Sequence, residues 1–130
     1  MKQKLVKDWM ATPVVSVTPK THLPEAYRLM VEHRIRRLPV LENGKLVGIV
    51  SLGDMREAEV TTDPSLAEKI TIALILRSPV ITVTPTTPLK AAAAIMLEKK
   101  ISGLPVVDGD TVAGMVTESD IFRAFIADQG

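Results

Sequence analysis

Cysteine is absent from the sequence, and aromatic residues are scarce, at 3% of the chain. A chain without cysteine can form no disulfide framework, no thiolate zinc site and no cysteine nucleophile. The two histidines, His22 and His33, are poor metal ligands, because neither has a second ligand two or four residues further on. The few aromatic side chains offer little for stacking on nucleic-acid bases. We therefore expect no metal centre and no nucleic-acid partner.

The sequence also lacks an excess of charge of one sign and lacks long apolar runs. Its 16 lysine and arginine residues are balanced by 15 aspartate and glutamate residues, so binding to nucleic acid would need a local basic cluster. No apolar stretch is long enough to cross a bilayer, and the lysines near the N-terminus are not followed by the apolar core of a signal peptide. These features predict a cytoplasmic protein with no membrane partner.

What the sequence does contain is an internal repeat. A shift of 66 residues aligns residues 13–55 with residues 79–121 without a gap. The same shift pairs Val6 with Ile72, so each repeat begins with a short lead-in segment. We assign residues 1–60 to a first repeat and residues 61–130 to a second repeat, and expect the two to pack together as one module. Identical pairs in the alignment include Pro13/Pro79, Val17/Val83, Met30/Met96, Leu38/Leu104, Gly48/Gly114 and Asp54/Asp120.

Within each repeat, strand and helix periodicities alternate, which predicts an α/β (α+β) fold with a small sheet flanked by two helices per repeat. β-branched runs at residues 14–17 and 80–83 predict short strands. Thr21 and Thr87 are the predicted N-caps of the helices that follow these runs. After each of these helices the chain returns as two apolar runs, which predict two further strands.

The turn between those two strands carries the clearest local signal. Asn-Gly at 43–44 and Asp-Gly at 108–109 tolerate positive φ and predict β-hairpins. A second helix is predicted to follow each hairpin, beginning at Asp54 in the first repeat and at Asp120 in the second. The order in each repeat is therefore lead-in, strand, helix, strand, strand, helix.

Two further expectations concern the connection and the last helix. Residues 56–62 are the predicted flexible segment, after which Ser65 and Glu68 have the spacing of a capping box. Phe122 and Phe125 are placed on the core face of the last helix, which again argues against a base-stacking surface.

One motif in each repeat carries chemistry. The segment from Gly48 to Asp54 recurs from Gly114 to Asp120: a predicted strand ends in a hydroxyl residue, and an aspartate follows three residues later. One interpretation is a helix cap, in which Ser51 and Thr117 bond free helix amides and the acid suits the helix dipole. The other is a ligand site, because free amides and a hydroxyl attract phosphate and a carboxylate accepts two hydrogen bonds from ribose hydroxyls. The two interpretations are compatible.

The doubled pattern of Thr-Pro, Leu-Pro-Val, hairpin and Gly-x-Val-[Ser/Thr]-x-x-Asp resembles a cystathionine-beta-synthase (CBS) domain pair, also called a Bateman module. The resemblance extends from about Val6 to Phe125. It implies two tandem repeats packed about a pseudo-twofold axis, with two clefts that bind adenine nucleotides or related adenosyl ligands. In such modules, the hydroxyl and aspartate of one repeat work with the lead-in of the other repeat and with the two residues before its Leu-Pro-Val.

Carried onto this sequence, the resemblance implies two candidate clefts of different charge. Because guanidinium groups bind phosphate in bidentate fashion, whereas a serine and a glycine offer only a hydroxyl and backbone amides, the cleft with Arg36 and Arg37 before its Leu-Pro-Val is the better expected site for a phosphorylated ligand. That first cleft combines Thr117, Asp120, Met10, Ala11, Thr12, Pro13, Val14, Arg36 and Arg37. The second cleft combines Ser51, Asp54, Arg77, Ser78, Pro79, Val80, Ser102 and Gly103.

The basic run from His33 to Arg37 has two interpretations. Cations near a helix C-terminus usually form a solvated face, which explains His33 and Arg34. Arg36 and Arg37 lie past the predicted helix and beside the cleft that the resemblance implies, so we expect at least one of them to contact phosphate.

The function implied by the resemblance is a stand-alone regulatory or sensor module. Its ligand would be AMP, ADP or ATP, with S-adenosylmethionine or NAD as further candidates, and its output would pass to a partner protein. A homodimer is also implied, and magnesium would enter only with bound ATP. Two alternatives stay open: a ligand-free dimerisation scaffold and a nucleic-acid-binding CBS module. We expect no enzyme, because the sequence has no G-x-S-x-G, P-loop, G-x-G-x-x-G or H-E-x-x-H motif.

Overall fold

The fold is taken from a computed structural model that describes residues 3–129. Mixed helices and strands occur in the same order in both repeats, as the sequence predicted. The first repeat contains α1 (Leu23–His33), β1 (Arg37–Glu42), β2 (Lys45–Ser51) and α2 (Leu52–Thr61). The second contains α3 (Leu89–Lys99), β3 (Gly103–Asp108), β4 (Thr111–Thr117) and α4 (Glu118–Gln129). Short 3-10 helices span Val6–Asp8, Pro64–Lys69 and Ile72–Leu74.

The described chain divides into two compact units that cut across the sequence repeats. The central unit comprises residues 15–80, and the terminal unit comprises residues 3–14 together with residues 81–129. The lead-in of the first repeat, residues 5–14, therefore packs with the body of the second repeat. The lead-in of the second repeat, residues 71–80, packs with the body of the first. Each unit is thus assembled from parts of both repeats.

Each unit contains one antiparallel hairpin, which confirms both predicted hairpins. The second turn lies at Gly109 and Asp110, one residue later than predicted, because Asp108 still pairs with Thr111 in the ladder. In the central unit, β1 pairs with β2, and in the terminal unit, β3 pairs with β4. Both ladders shift register by one residue at the same place, after Val40 and after Val106. Asn43, Gly44 and Gly109 have positive φ angles of 54°, 80° and 63°, which is why these residue types stand at the turns.

The predicted strands at residues 14–17 and 80–83 are not strands. Each run makes a single parallel bridge, from Val17 to Val40 and from Val83 to Val106. Prolines at both ends of each run explain the difference, because proline has no N–H to donate to a ladder. Each run is instead joined to β1 or β3 through one valine, Val17 or Val83.

The threonines before the first helix of each repeat do not cap those helices. His22 and Pro88 are the N-cap residues of α1 and α3, and neither makes a side-chain capping bond. Thr21 instead accepts a hydrogen bond from the Thr18 amide at 3.1 Å. In the second repeat, the Thr87 hydroxyl accepts from the amide three residues earlier at 2.9 Å. Both threonines close the turn that precedes the helix.

The connection between the repeats also differs from expectation. The segment at 56–62, predicted to be flexible, continues α2 as far as Thr61. The next 3-10 helix is capped by Asp63, whose Oδ1 accepts the Ser65 amide at 3.0 Å. The cap is therefore Asp63, not the predicted pairing of Ser65 with Glu68.

Each unit has its own apolar core. The central core includes Leu23, Leu38, Val50, Met55 and Ile72, all nearly inaccessible to solvent. The terminal core is built from the equivalent positions together with Val6 of the first lead-in. Val6 and Ile72 both have an exposed fraction of 0%, so each lead-in is fixed to its unit by a buried aliphatic side chain.

Phe122 and Phe125 are not core residues, contrary to the sequence prediction. Their exposed fractions are 61% and 63%. Helix α4 turns Ala124 inward, and this small side chain is buried in the terminal core. The face with the larger aromatic residues is therefore left at the surface of the described terminal unit.

Candidate functional site

The strand-to-helix junction of the central unit forms a complete capping box. Ser51 ends β2 in an extended conformation, and its hydroxyl oxygen accepts the Asp54 amide at 3.1 Å. In return, Oδ2 of Asp54 accepts the Ser51 amide at 3.1 Å. The capping interpretation of this motif is therefore correct, and it fixes the carboxylate at the first turn of α2.

The equivalent junction of the terminal unit is similar but not identical. Oδ2 of Asp120 accepts the Thr117 amide at 2.8 Å and also the Thr117 hydroxyl at 3.3 Å. Asp120 is the buried polar residue of the described chain, with an exposed fraction of 5%. The threonine hydroxyl here donates to the carboxylate, whereas the serine hydroxyl of the central unit accepts from the helix.

Each lead-in is bound to the strand that runs into this junction. In the central unit, Ile49 and Arg77 exchange two backbone hydrogen bonds, of 3.0 and 2.8 Å. In the terminal unit, Ala11 and Met115 do the same, at 2.7 and 3.2 Å. Each bridge lies two residues before the hydroxyl residue of its strand, so Arg77 and Ala11 are held near the two junctions.

The glycine at the start of each motif makes this close approach feasible. A Cβ added to Gly48 would lie 2.7 Å from Cδ1 of Leu76, and one added to Gly114 would lie 2.8 Å from Sδ of Met10. Side-chain carbon atoms do not approach so closely without displacement. At Gly114 the Cβ would also lie 2.9 Å from the Ala11 carbonyl, which is backbone, so glycine is required there. At Gly48 the Arg77 carbonyl would lie 3.1 Å away, so a side chain would force Leu76 and the lead-in to shift.

The lead-in residues predicted to contact the ligand lie at the surface of their units. Thr12 and Pro13 are exposed in the terminal unit, as are Ser78 and Pro79 in the central unit. The last predicted residues of each set, Val14 and Val80, and Met10 of the first set, are half-buried. The Thr12–Pro13 and Ser78–Pro79 peptide bonds are both cis.

An arginine engages the carboxylate in both units. The sequence analysis grouped Arg77 with Asp54 in the second cleft without predicting their ion pair, and it did not single out Arg123. In the central unit, Nε of Arg77 donates to Oδ1 of Asp54 at 2.8 Å. In the terminal unit, Arg123 pairs with Oδ1 of Asp120 and also donates to the Trp9 carbonyl at 3.2 Å. The second pair could have been found, because a separation of three residues brings two side chains together on a helix.

The ion pair changes the acidity of the central carboxylate. Burial alone would raise the pKa of Asp54, but the hydrogen bonds from Arg77 and Ser51 outweigh it and hold that pKa below its usual value. The same bond with Asp54 raises the pKa of Arg77. Asp54 is therefore a carboxylate at neutral pH, ready to accept hydrogen bonds.

The residues before each Leu-Pro-Val belong to the unit of their own hairpin. Arg37 lies opposite Ser51 in the β1–β2 ladder, and the Arg36 carbonyl accepts the Leu52 amide at 2.8 Å. Likewise, the Ser102 carbonyl accepts the Glu118 amide at 3.0 Å in the terminal unit. Arg36 is exposed, whereas Arg37 and Ser102 are half-buried.

Within single units, the structure thus brings together part of each predicted set. The predicted association of the two arginines with the first set, and of Ser102 with the second, joins residues of different units and stays a prediction. The terminal unit holds Thr117, Asp120, Met10, Thr12, Pro13 and Val14, and the central unit holds Ser51, Asp54, Ser78, Pro79 and Val80.

Neither a metal cluster nor a membrane span is found in the part of the chain that the structure describes. Residues 3–129 contain no group of three histidine, cysteine, aspartate or glutamate side chains that could hold a metal ion. Over the same residues, no helix is long and apolar enough to cross a bilayer.

Comparison with known proteins identifies the family. The family model of the CBS domain matches twice, over residues 6–61 and 72–127. The chain belongs to the CBS domain family. CBS domain pairs are regulatory modules rather than catalytic ones, and the tandem arrangement predicted from the repeat is the arrangement of this family.

Individual CBS proteins resemble this chain over nearly its whole length. The L-aspartate semialdehyde sulfurtransferase of Methanocaldococcus jannaschii is 38% identical over 124 residues, which are 93% of this chain. This chain spans only 23% of that relative, so the similarity covers less than a quarter of its length.

Two solved structures match the fold closely. The CBS domain pair of protein MJ0100, in complex with 5′-methylthioadenosine and S-adenosyl-L-methionine, is 34% identical with a TM-score of 0.88, over 98% of this chain and 99% of that one. CBSX2 in complex with AMP is 27% identical with a TM-score of 0.84, over 97% and 98% of the two chains.

Proposed function

We propose that this chain is a regulatory module that binds an adenine nucleotide or a related adenosyl ligand. The observation that carries the proposal is the repeated junction, in which an aspartate at the first turn of a helix faces a lead-in held against the preceding strand. Asp54 and Asp120 accept the ribose hydroxyls. The lead-in residues after Arg77 and after Ala11 contact the base.

The chemistry of both junctions suits such a ligand. A carboxylate held by a backbone amide keeps lone pairs for ribose hydroxyls, and the low pKa of Asp54 keeps it ionised. The surface position of Thr12, Pro13, Ser78 and Pro79 leaves their backbone open to a base. The solved relatives bind AMP, S-adenosyl-L-methionine and 5′-methylthioadenosine, which share an adenosine group.

The proposed mechanism is a shift of population without turnover. A ligand that contacts a lead-in and a helix N-terminus together favours the conformers in which both are in place. An effector protein then reads that change. AMP, ADP and ATP are the first candidate ligands, S-adenosylmethionine and NAD the next, and magnesium would accompany ATP only.

A homodimer is the proposed assembly. Val31 of α1 and Leu97 of α3 occupy the same repeat position, and their exposed fractions are 78% and 83%. Helix α4 adds Phe122, Phe125 and Ile126, exposed by 61%, 63% and 64%. Phe122, Phe125 and Ile126 stand three and four residues apart, on one face of α4, and a contiguous exposed apolar patch marks an interaction surface. A second copy of the chain carries the same exposed groups and can cover them, so it is the partner that we propose.

The ligand proposal is tested by calorimetric titration and thermal unfolding with AMP, ADP, ATP, S-adenosylmethionine and NAD. A ligand at about 100 times its Kd adds about 2.7 kcal/mol of stability, which raises the Tm by several degrees. Asp54→Asn and Asp120→Asn each remove one negative carboxylate while keeping one acceptor oxygen. We expect Asp120→Asn to weaken nucleotide binding more than Asp54→Asn.

Three other outcomes would count against the proposal. No thermal shift with any of the five ligands would favour the ligand-free scaffold, in which the two junctions are only helix caps. Consumption of a nucleotide would show an enzyme in place of a binding module. A salt-sensitive affinity for RNA or DNA, measured in the same buffer, would revive the nucleic-acid alternative.

The dimer is tested separately by sedimentation. The double variant Phe122→Lys/Phe125→Lys should sediment as a monomer. Its Tm should be no lower than that of the wild-type monomer. Val112→Lys, on β4, serves as the control for added charge in the same unit. A wild-type chain that sediments as a monomer at high concentration would contradict the assembly.

A further inference from the structure

An open groove lies in the central unit between α2 and the two 3-10 helices that follow it. Its volume is about 590 Å³, within the range of about 300–1,000 Å³ that small-molecule sites occupy. Glu57 and Ala58 of α2 line one wall. Leu66, Ile70 and Ile75 line the other. We refer to this feature as the central groove.

The internal repeat shows what fills the equivalent place in the terminal unit. The shift of 66 residues maps Ile75 onto Trp9 and Ile70 onto Lys4. Nζ of Lys4 lies 4.8 Å from the centroid of the Trp9 ring, and Cζ of Arg123 lies 5.7 Å from it. An indole ring with two cations beside it therefore occupies this position in the terminal unit.

The ammonium group in the terminal unit is held by the neighbouring helix. Nζ of Lys4 donates to the carbonyl of Ala124 at 2.6 Å and pairs with Asp128 at 2.9 Å. The terminal unit thus fills its own groove with an aromatic ring and an ammonium. In the central unit, the two lead-in positions are aliphatic and shorter than their counterparts, so the corresponding space is left open.

The charge at one end of the central groove is the reverse of that in the terminal unit. Glu57 stands where Arg123 stands in the other repeat. It lies close enough to Arg77 to raise the pKa of that guanidinium. Asp54 and Glu57 together carry two negative charges against the single positive charge of Arg77, so this end attracts a cation.

The rest of the lining is apolar or carries one further cation. Leu66 and Leu74 line the groove with exposed fractions of 48% and 74%, an unusual exposure for leucine. Lys69 also lines it, so the full set of four charged side chains is neutral. A ligand with an apolar body and a positive head would therefore bind with its head at the Glu57 end.

We propose that the central groove binds a small aromatic amine, with its ring against Ile70 and Ile75 and its ammonium group at Glu57. Such a ligand supplies to the central unit the two groups that Trp9 and Lys4 supply to the terminal unit. The groove adjoins the proposed nucleotide site of the central unit, because Asp54 and Arg77 line the groove and also belong to that site. The proposed amine differs from the nucleotide in its contacts, which are Glu57, Ile70 and Ile75 and not the Ser51 junction.

The probes are tryptamine, which combines an indole ring with an ammonium, and indole-3-propionate, which has the same ring with a negative charge. Binding is measured by NMR titration of backbone amides. We expect tryptamine to shift amides of α2 and of the two 3-10 helices, and to bind at least about five times more tightly than indole-3-propionate. Glu57→Gln should lower tryptamine affinity about threefold.

A filling variant and a matched control complete the test. Ile75→Trp places the residue of the terminal unit into the groove and should reduce tryptamine affinity more than tenfold. Glu68→Gln makes the same charge change on an exposed residue outside the lining and should leave affinity unchanged. If Ile75→Trp lowers the Tm, Glu57→Gln still tests the proposal, because Glu57 is exposed and its substitution should not disturb the fold.

Three results would overturn the proposal. The first is equal affinity for the two indole probes, and the second is tryptamine binding that Glu57→Gln does not weaken. The third is the absence of tryptamine shifts at millimolar concentration. Shifts induced by a peptide that contains lysine and tryptophan, without shifts by tryptamine, would assign the groove to a protein partner and reject the small ligand. Titration of each variant with AMP shows whether the proposed nucleotide sites bind. Failure of the groove proposal can therefore be distinguished from failure of the nucleotide proposal.

Discussion

Arg77 and Asp54 form an ion pair that joins the second lead-in to the first turn of α2. Nε of the arginine lies 2.8 Å from Oδ1 of the aspartate, whose other oxygen accepts the Ser51 amide at 3.1 Å. Both carboxylate oxygens are therefore engaged. A ribose hydroxyl that bonds Oδ1 shares this oxygen with the guanidinium or displaces it. Because the Arg77 side chain is 70% exposed, displacement releases a well-solvated group.

The first prediction concerns the acidity of this aspartate. Arg77→Gln removes the guanidinium that stabilises the charged carboxylate, so the pKa of Asp54 should rise toward its ordinary value. An NMR titration of the side-chain carboxyl carbon measures it. Arg28→Gln, which removes an exposed arginine paired with Glu32 in the same unit, should leave the Asp54 pKa unchanged. A pKa that falls or stays constant in Arg77→Gln would contradict the structure.

The second prediction follows from the same pKa and concerns stability. The pKa of Asp54 in the folded chain lies below its unfolded value of about 3.9. Its ionised form therefore stabilises the fold above that pH, and the contribution is lost as pH falls through the folded pKa. Asp54→Asn should cost stability at neutral pH, and the difference from the wild type should shrink below about pH 4.

Urea unfolding at a series of pH values measures this difference. Asp110→Asn makes the same side-chain change at an exposed residue of the second hairpin and is the control for the substitution itself. If the loss of stability in Asp54→Asn grew as the solution became more acidic, the pH dependence would have the opposite sign and would contradict the prediction.

The parts of the fold that the sequence predicted correctly are those fixed by local chemistry. Asn43, Gly44 and Gly109 adopt the positive φ angles of tight turns without help from distant residues. The Ser51–Asp54 box likewise needs only four consecutive residues. The tandem organisation came from comparison of the two repeats, which needs no structure.

The parts that the sequence missed depend on distant partners. Thr21 has the residue type of an N-cap, but its hydroxyl bonds the amide of Thr18 because the helix begins two residues later. Arg77 is separated from Asp54 by 23 residues, so no local spacing reveals the pair. Phe122 was misplaced because the helical stripe allowed either face, and the buried Ala124 shows which face is packed.

The third prediction compares two glycines of the first motif. Gly48→Ala should destabilise the chain by about 1–3 kcal/mol, because a Cβ there meets Leu76 at 2.7 Å and the Arg77 carbonyl at 3.1 Å. Gly53→Ala should be neutral or stabilising by up to about 1 kcal/mol, since it lies in α2 and the nearest atom to its Cβ is 3.7 Å away.

Chemical denaturation of both variants checks this comparison. Because both variants replace glycine with alanine, each is the control for the other. Equal destabilisation of the two variants would mean that helix α2 is as crowded at Gly53 as the strand is at Gly48. In that case, the close approach of the second lead-in to β2 would not explain the glycine.

The fourth prediction concerns Arg36 and Arg37, which lie beside Ser51 in the central unit although the sequence assigned them to the Thr117/Asp120 site. Charge-assisted hydrogen bonds to phosphate contribute about 1.5–3 kcal/mol. Replacing both arginines with glutamine should therefore weaken ATP and ADP about tenfold or more and leave adenosine nearly unchanged. Arg34→Gln, an exposed arginine at the end of α1, is the matched control.

Combining the arginine variant with each aspartate variant assigns the two arginines to a site. If they serve the Thr117/Asp120 site, the arginine change should still weaken ATP binding in Asp54→Asn and have little further effect in Asp120→Asn, because coupled residues are not additive. The reverse pattern would assign the guanidinium groups to the Ser51/Asp54 site, where the β1–β2 register already places Arg37 opposite Ser51. Equal losses for ATP and adenosine would make both arginines structural, since adenosine has no phosphate for a guanidinium to bind.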